Sequence, residues 1–296
     1  MKKHLTSLSL LASVSLSLAV PAGATLLAFD QFITGPSGYT TGNIYNQTPS
    51  TGSLGFTGAW GNTNNANTTH IQAEATGLTH SLAVNPNADG NLFIRPQSNN
   101  DGRRVTRAFN AATLTAIEDT STLFYSGLFR TAENPAINAG PVWFGIGTNT
   151  NANQNPANGV YFTHNGASGF SIWNNGSVES LSLTPAVNTT YLFVVGIDFA
   201  ANSVSYSVYA DGDTLGSPAA TGSFTTTITT ANLTHLLAGH QSNNSGYSGE
   251  SATPRFDEFM LGTTMDAVVI PEPRTYAAIF GLLALGVILM RRRQRS

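Results

Sequence analysis

The stretch YLFVVGIDFAANSVSYSVYADGD, Tyr191 to Asp213, decides the fold. Its first run, Tyr191 to Phe199, is apolar on both faces, as a central strand of a two-layer structure must be. The second run, Ser203 to Ala210, alternates. Val204, Tyr206 and Val208 share one face, and serines with Tyr209 share the other. That period belongs to a strand with one face on a core. Asp211-Gly212 then supplies the residue types that close a tight turn.

The same texture extends in both directions. Short aromatic and β-branched runs predict strands at 26–33, 54–60, 79–84, 91–95, 104–109, 122–130, 141–147, 159–164, 169–173, 177–183, 222–228, 233–239 and 255–262. Asn165-Gly166 and Asn175-Gly176 fall between such runs and predict hairpins. A single helical turn is expected around Leu114 to Asp119. The Asn- and Thr-rich segments 62–69 and 148–159 lack apolar residues to pack and read as exposed loops. The body, 25–266, is thus expected to be all-β: one two-sheet antiparallel sandwich of the jelly-roll kind.

The 296-residue chain has no cysteine, so no disulfide staples it and no thiol chemistry is available. Between Thr25 and Ile270 it carries six arginines, no lysine and fifteen acids, a net charge of −9. No basic stripe is present, which argues against nucleic acid as a partner.

Both ends differ from the body. Lys2 and Lys3 precede an apolar run, Leu8 to Val20; Pro21 breaks it, and Ala22 and Ala24 are the small residues a signal peptidase reads. Residues 1–24 are therefore expected to be a signal peptide cut after Ala24. At the other end, 267–296 holds Pro271-Glu272-Pro273, an uncharged run from Thr275 to Met290, and Arg291, Arg292, Arg293 and Arg295. As a helix the run reaches about 24 Å, against about 30 Å of bilayer hydrocarbon. The arginines would stay on the cytoplasmic side. The two prolines would keep the motif extended just outside the membrane, where a membrane protease can grip it.

This tripartite end resembles the PEP-CTERM sorting signal of Gram-negative bacteria, in order, spacing and terminal position. The resemblance implies processing near the motif by an exosortase, transient anchoring in the inner membrane, and delivery to the cell surface or an exopolysaccharide matrix. The body, through RFDEFMLGTTMDAVVIPEP, LLAFDQF and GFTGAWG, resembles concanavalin A-like (LamG-type) jelly rolls, some of which bind glycans or calcium. A permanently anchored protein is the alternative reading of the tail, and a secreted glycoside hydrolase or lyase is the alternative for the body.

No catalytic motif supports an enzyme. The Glu-x-Asp-x-x-Glu motif of family-16 glucanases does not occur, and no G-x-S-x-G elbow is present. In a regular strand the adjacent Asp257 and Glu258 point to opposite faces and do not act together. Asp211 and Asp213 have i, i+2 spacing; a solvated hairpin tip is one reading and a calcium ligand pair is the other. His70, His80, His164, His235 and His240 form no metal-binding pattern. Trp143 and Trp173 lie inside apolar runs and read as core. Trp60 ends a run before an Asn-rich loop and is the expected exposed, ligand-binding tryptophan.

Overall fold

A computed structural model of the chain describes residues 24–62, 71–83, 90–94, 103–130, 141–148, 158–164, 169–240 and 254–269. Ala24 opens the first segment. The expected signal peptide with Ala22, the Pro271-Glu272-Pro273 motif, the apolar run after it and the terminal arginines lie outside the described residues. Among the described residues no helix is long and apolar enough to cross a membrane.

Two antiparallel sheets stack face to face, as in a jelly-roll sandwich. The ten-stranded sheet holds β1 (Leu26–Asp30), β2 (Gly42–Asn43), β3 (Ser53–Leu54), β5 (Ile71–Glu74), β6 (Asn91–Ile94), β8 (Thr122–Arg130), β13 (Thr190–Asp198), β14 (Ser203–Ala210), β15 (Ala220–Thr225) and β17 (Arg255–Gly262). Its order is β15-β14-β13-β8-β17-β6-β5-β2, with β1 joining β17 to β3. The seven-stranded sheet holds β4 (Phe56–Asn62), β7 (Arg103–Phe109), β9 (Val142–Gly147), β10 (Gly159–His164), β11 (Phe170–Asn174), β12 (Ser177–Ser180) and β16 (His235–His240), in the order β12-β11-β10-β9-β16-β7-β4.

β13 lies between β8 and β14 and is buried on both faces, as its unbroken apolar run requires. Its inward Phe193 stacks on Phe162 of the other sheet at 4.3 Å between ring centroids. Phe144 and Phe256 stack across the same interface at 4.9 Å. Burying such rings is the main favourable term available to a chain without disulfides.

The local chemistry departs from the sequence reading in several places. Residues 79–84 make no strand where they are described. Leu78 N–H donates to Asp257 Oδ2 at 2.8 Å, His80 Nε2 lies 3.1 Å from the Tyr209 carbonyl, and Ser81 N–H donates to Asp211 Oδ1 at 3.0 Å. The segment is a cover laid over the outer face of the large sheet, and it buries Tyr209, so β14 is covered on both sides at that end. The single helical turn is instead an eight-residue helix, α1 (Ala111–Glu118), whose first turn is capped by Asn110 Oδ1 accepting from Thr113 N–H at 2.9 Å. The run 177–183 is strand only to Ser180.

The fourth departure is in β17. Glu258 sits at φ +51°, and the register against β8 shifts between Asp257 and Met260. This bulge breaks the alternation. Asp257 bonds the cover segment on the outer side of the sheet. Glu258 lines a cavity with Leu26, Phe29 and Met260, which belong to that same outer apolar cluster. The two carboxyls therefore share a side, contrary to the regular-strand expectation. Burial pushes Asp257 well above the ordinary carboxyl range, with Glu258 adding repulsion.

The sheets are also tied by a polar contact. Asp30 of β1 accepts from Arg107 of β7 at 2.7 Å and from the Tyr39 hydroxyl, with Arg107 4 % and Asp30 0 % exposed. Arg107 also donates to Ser53 Oγ at 2.7 Å and lies over the Phe56 ring. Trp60 completes this group, donating from Nε1 to Tyr39 Oη at 2.8 Å. It is fully buried, so the expectation of an exposed Trp60 is wrong. Gly58 at φ +68° and a register shift between Thr57 and Gly61 put an irregularity in β4 just before it, so simple alternation does not fix its side.

His164 points inward between the Phe129 and Phe170 rings, and neither ring nitrogen has a hydrogen-bond partner. Burial lowers its pKa from 6.5 to about 4. Between those values the unfolded chain binds more protons than the folded one, so stability falls as pH drops through that window. Urea unfolding at pH 7 and pH 4 is expected to show wild type losing about 3 kcal/mol more than His164→Phe. His80 and His235 are lowered in the same direction and remain in both proteins.

Candidate functional site

The face of the seven-stranded sheet that points away from the interior carries its own aromatic cluster. In β9, Val142, Phe144 and Ile146 point inward, which leaves Trp143, Gly145 and Gly147 outward. In β10, Val160, Phe162 and His164 point inward, which leaves Tyr161 and Thr163 outward. The register lines up two rows across the strands. One runs Thr106, Leu237, Gly145, Tyr161, Trp173, Val178. The next runs Arg104, Gly239, Trp143, Thr163, Ser171, Ser180.

Trp143, Tyr161, Trp173 and Leu237 form a cluster separate from the sandwich core. Trp143 and Tyr161 meet edge to face at 5.5 Å between centroids. Trp143 is 2 %, Tyr161 0 % and Trp173 6 % exposed, while Val178 at the β12 edge is 55 % exposed. The two tryptophans are thus buried, as their apolar runs suggested, but on the outward face and not in the sandwich interior.

Glycines make the room for Tyr161. A Cβ on Gly147 would stand 1.8 Å from its hydroxyl, and one on Gly159 would stand 2.3 Å away. Polar groups surround the rings. Thr163 Oγ1 donates to the Ser171 carbonyl at 3.1 Å, and the two hydroxyls are themselves hydrogen-bonded. Burial pushes the Tyr161 hydroxyl up, against the pull of Arg104, so it stays a proton donor. Burial lowers His235 and Arg104 lowers it further, so the imidazole is neutral at pH 7. Among the described residues no carboxylate stands in either row.

Three donors in this cluster have no acceptor: Trp143 Nε1, Tyr161 Oη and Trp173 Nε1 are all buried without a hydrogen-bond partner. A buried donor left unsatisfied costs about 1–3 kcal/mol. Three in one small buried cluster make a concentrated set of donors without acceptors, with ring faces and edges beside them.

Of the other expected site residues, the described Asp211, Asp213 and Trp60 make contacts within the scaffold. Asp211 Oδ1 holds the cover segment at Ser81, and Asp213 Oδ2 accepts from Ala210 N–H at 2.8 Å within its own turn. Among the described residues no three His, Asp or Glu side chains gather as a metal site. Trp60 is in the interior network. Tyr161 and Arg104 were missed from the sequence, although period-2 reading of VWFGIG and GVYFTH puts Trp143 and Tyr161 on the face opposite the phenylalanines.

No protein-family model matches the chain, and no curated protein matches it. Solved structures are similar at a distance. Arcelin-5, a lectin-like defence protein from Phaseolus vulgaris, is 12 % identical over 81 % of this chain and 98 % of its own, with a TM-score of 0.40. The catalytic domain of a GH131 β-glucanase from Podospora anserina is 13 % identical over 68 % and 81 %, with a TM-score of 0.43. A Shewanella oneidensis protein of unknown function is 13 % identical over 79 % and 92 %, with a TM-score of 0.41. Likenesses this remote decide neither ligand nor chemistry, which have to come from the residues of the outward face.

The close approach of Tyr161 to backbone gives a direct check. In Gly159→Ala the new methyl would meet the Tyr161 hydroxyl and, at 2.5 Å, the Ile146 carbonyl. Overpacking of this kind costs about 1–3 kcal/mol, so thermal and urea unfolding should both show a less stable protein.

Proposed function

We propose that the protein is an exported carbohydrate-binding protein of the cell surface or extracellular matrix, and that its binding face is the outward side of the seven-stranded sheet. The observation that carries this reading is the set of three buried, unpartnered donors on the aromatic cluster of Trp143, Tyr161 and Trp173. A sugar offers what that cluster lacks: hydroxyl and ring oxygens for the donors, and C–H faces for the rings. Gly239 stands opposite Trp143 and Gly145 opposite Tyr161, and the exposed Val178 continues the tyrosine row toward solvent.

The test is glycan binding by the full-length protein in a neutral detergent. An array screen selects a ligand, and titration measures it. Trp143→Ala is expected to weaken binding at least tenfold, about 1.4 kcal/mol, while a folded Trp60→Phe binds as wild type. Equal affinities for Trp143→Ala and wild type would refute the site.

Export and sorting rest on the sequence of the two ends. The front supplies a secretion signal cut after Ala24. The Pro-Glu-Pro segment, short apolar run and terminal arginines supply a temporary membrane hold that an exosortase releases. Mass spectrometry of native protein from fractionated cells should find a chain that begins at Thr25, lacks Arg291 to Arg295 and lies outside the cell. In a strain without the exosortase the arginines should remain, in the membrane fraction. Arginines retained in both strains would make the tail an ordinary anchor.

A further inference from the structure

The hydrogen-bond groups of the proposed sugar-binding face are of one kind. Trp143 Nε1 and Trp173 Nε1 donate and have no lone pair to offer, and Tyr161 Oη carries a proton with no acceptor to receive it. All three belong to one buried cluster. Trp143 and Tyr161 lie 5.5 Å apart between ring centroids, and Trp173 stands opposite Tyr161 across the β10–β11 pair. The charge beside the cluster also has one sign. Arg104 shares the Trp143 row with only Gly239 between them, and its positive charge acts on both the Tyr161 hydroxyl and His235. Arg104 already interacts within the chain; what it adds here is the sign of the field, which needs no vacant N–H.

These features discriminate between classes of sugar. A neutral sugar hydroxyl accepts, but it also brings a hydrogen of its own, and in a buried site that hydrogen needs an acceptor. Neither indole supplies one. A carboxylate brings only acceptors, about four lone-pair positions on two oxygens. It matches three donors at once, and hydrogen bonds to an ionised acceptor are roughly twice as strong as neutral ones. Exclusion of water strengthens the pull of the nearby guanidinium on it. The chain as a whole works against anions, because its body carries a net charge of −9. Any attraction of an acidic sugar therefore has to be local, and among the described residues no carboxylate stands in either outward row to oppose it.

We propose, resting on the reading that this face binds carbohydrate, that its ligand is an acidic glycan, with a uronic-acid carboxylate accepting from Trp143 Nε1, Tyr161 Oη and Trp173 Nε1 and the sugar ring packed against the indoles. The sugar enters from the β12 edge, where burial falls from Tyr161 through Trp173 to the exposed Val178. The three donors, left without acceptors in the free protein, are the part of the face that recognises the acid, and the charge of Arg104 adds to their selectivity.

The test uses full-length protein in neutral detergent at about 150 mM salt, where long-range charge effects are screened. Trisaccharides of galacturonic, glucuronic and mannuronic acid are titrated by calorimetry, each beside its methyl ester, which keeps the ring and the carbonyl oxygen but loses the charge. At least one acid is expected to bind tenfold or more tighter than its ester. Trp143→Phe and Tyr161→Phe each keep a ring and remove one donor, and each should reduce that preference several-fold; Arg104→Gln should reduce it too. Where a variant does not fold, the comparison of acid with ester on wild type decides. Binding of none of the acids, equal affinity for acid and ester, or a preference undiminished in both folded ring-keeping variants would overturn the proposal. A neutral glycan that binds equally well and is lost in Trp143→Ala would overturn the acidic preference alone and leave the carbohydrate face standing, whereas glycan binding unchanged in Trp143→Ala would remove that reading and this inference together.

Discussion

The contact on which the two layers depend is the buried pair of Asp30 and Arg107. One partner belongs to the large sheet and the other to the small one. Hydrophobic faces alone fix stacking only loosely, because apolar contacts have no direction. A guanidinium that must meet one carboxylate, with Tyr39, Ser53 and Trp60 around it, allows one alignment. Breaking such a pair by removing one partner leaves an uncompensated buried charge, which costs about 3–5 kcal/mol.

The same pair sets the outward face. Arg107 and Val105 point inward from β7, so Arg104 and Thr106 point out. A slip of one residue would turn every side chain over, exposing Arg107 and drawing Arg104 into the core. The alternation passes through β16 and β9 in register. It places Trp143 and Tyr161 on the far side of the sheet from Phe144 and Phe162. The interior phenylalanine stack and the outward aromatic cluster are therefore two readings of one alternating pattern.

Much of this was legible in the residues. β13 and β14 could be read from their periods, as could the Asn175-Gly176 hairpin, where both residues have positive φ. What could not be read came from irregular backbone. The bulge at Glu258 and the register shift in β4 each put a side chain where simple alternation does not place it. Those two positions decide where Glu258 and Trp60 lie. The segment after Glu74 has the composition of a strand, but its N–H groups find Asp257 and Asp211 from distant parts of the chain, a tertiary partnership that no local pattern announces. The tryptophans illustrate the limit. Local context favoured Trp60 as the surface residue and Trp143 and Trp173 as core, whereas Trp60 is interior and the other two line the outward face.

The three tryptophans also provide the most direct measurement. Protein labelled with 5-fluorotryptophan gives one 19F resonance each for Trp60, Trp143 and Trp173, assigned by single substitution. Titration with an oligosaccharide that the protein binds should move the Trp143 and Trp173 resonances saturably and leave Trp60 in place. Binding that leaves both Trp143 and Trp173 unmoved would contradict a carbohydrate site on the outward face of the seven-stranded sheet.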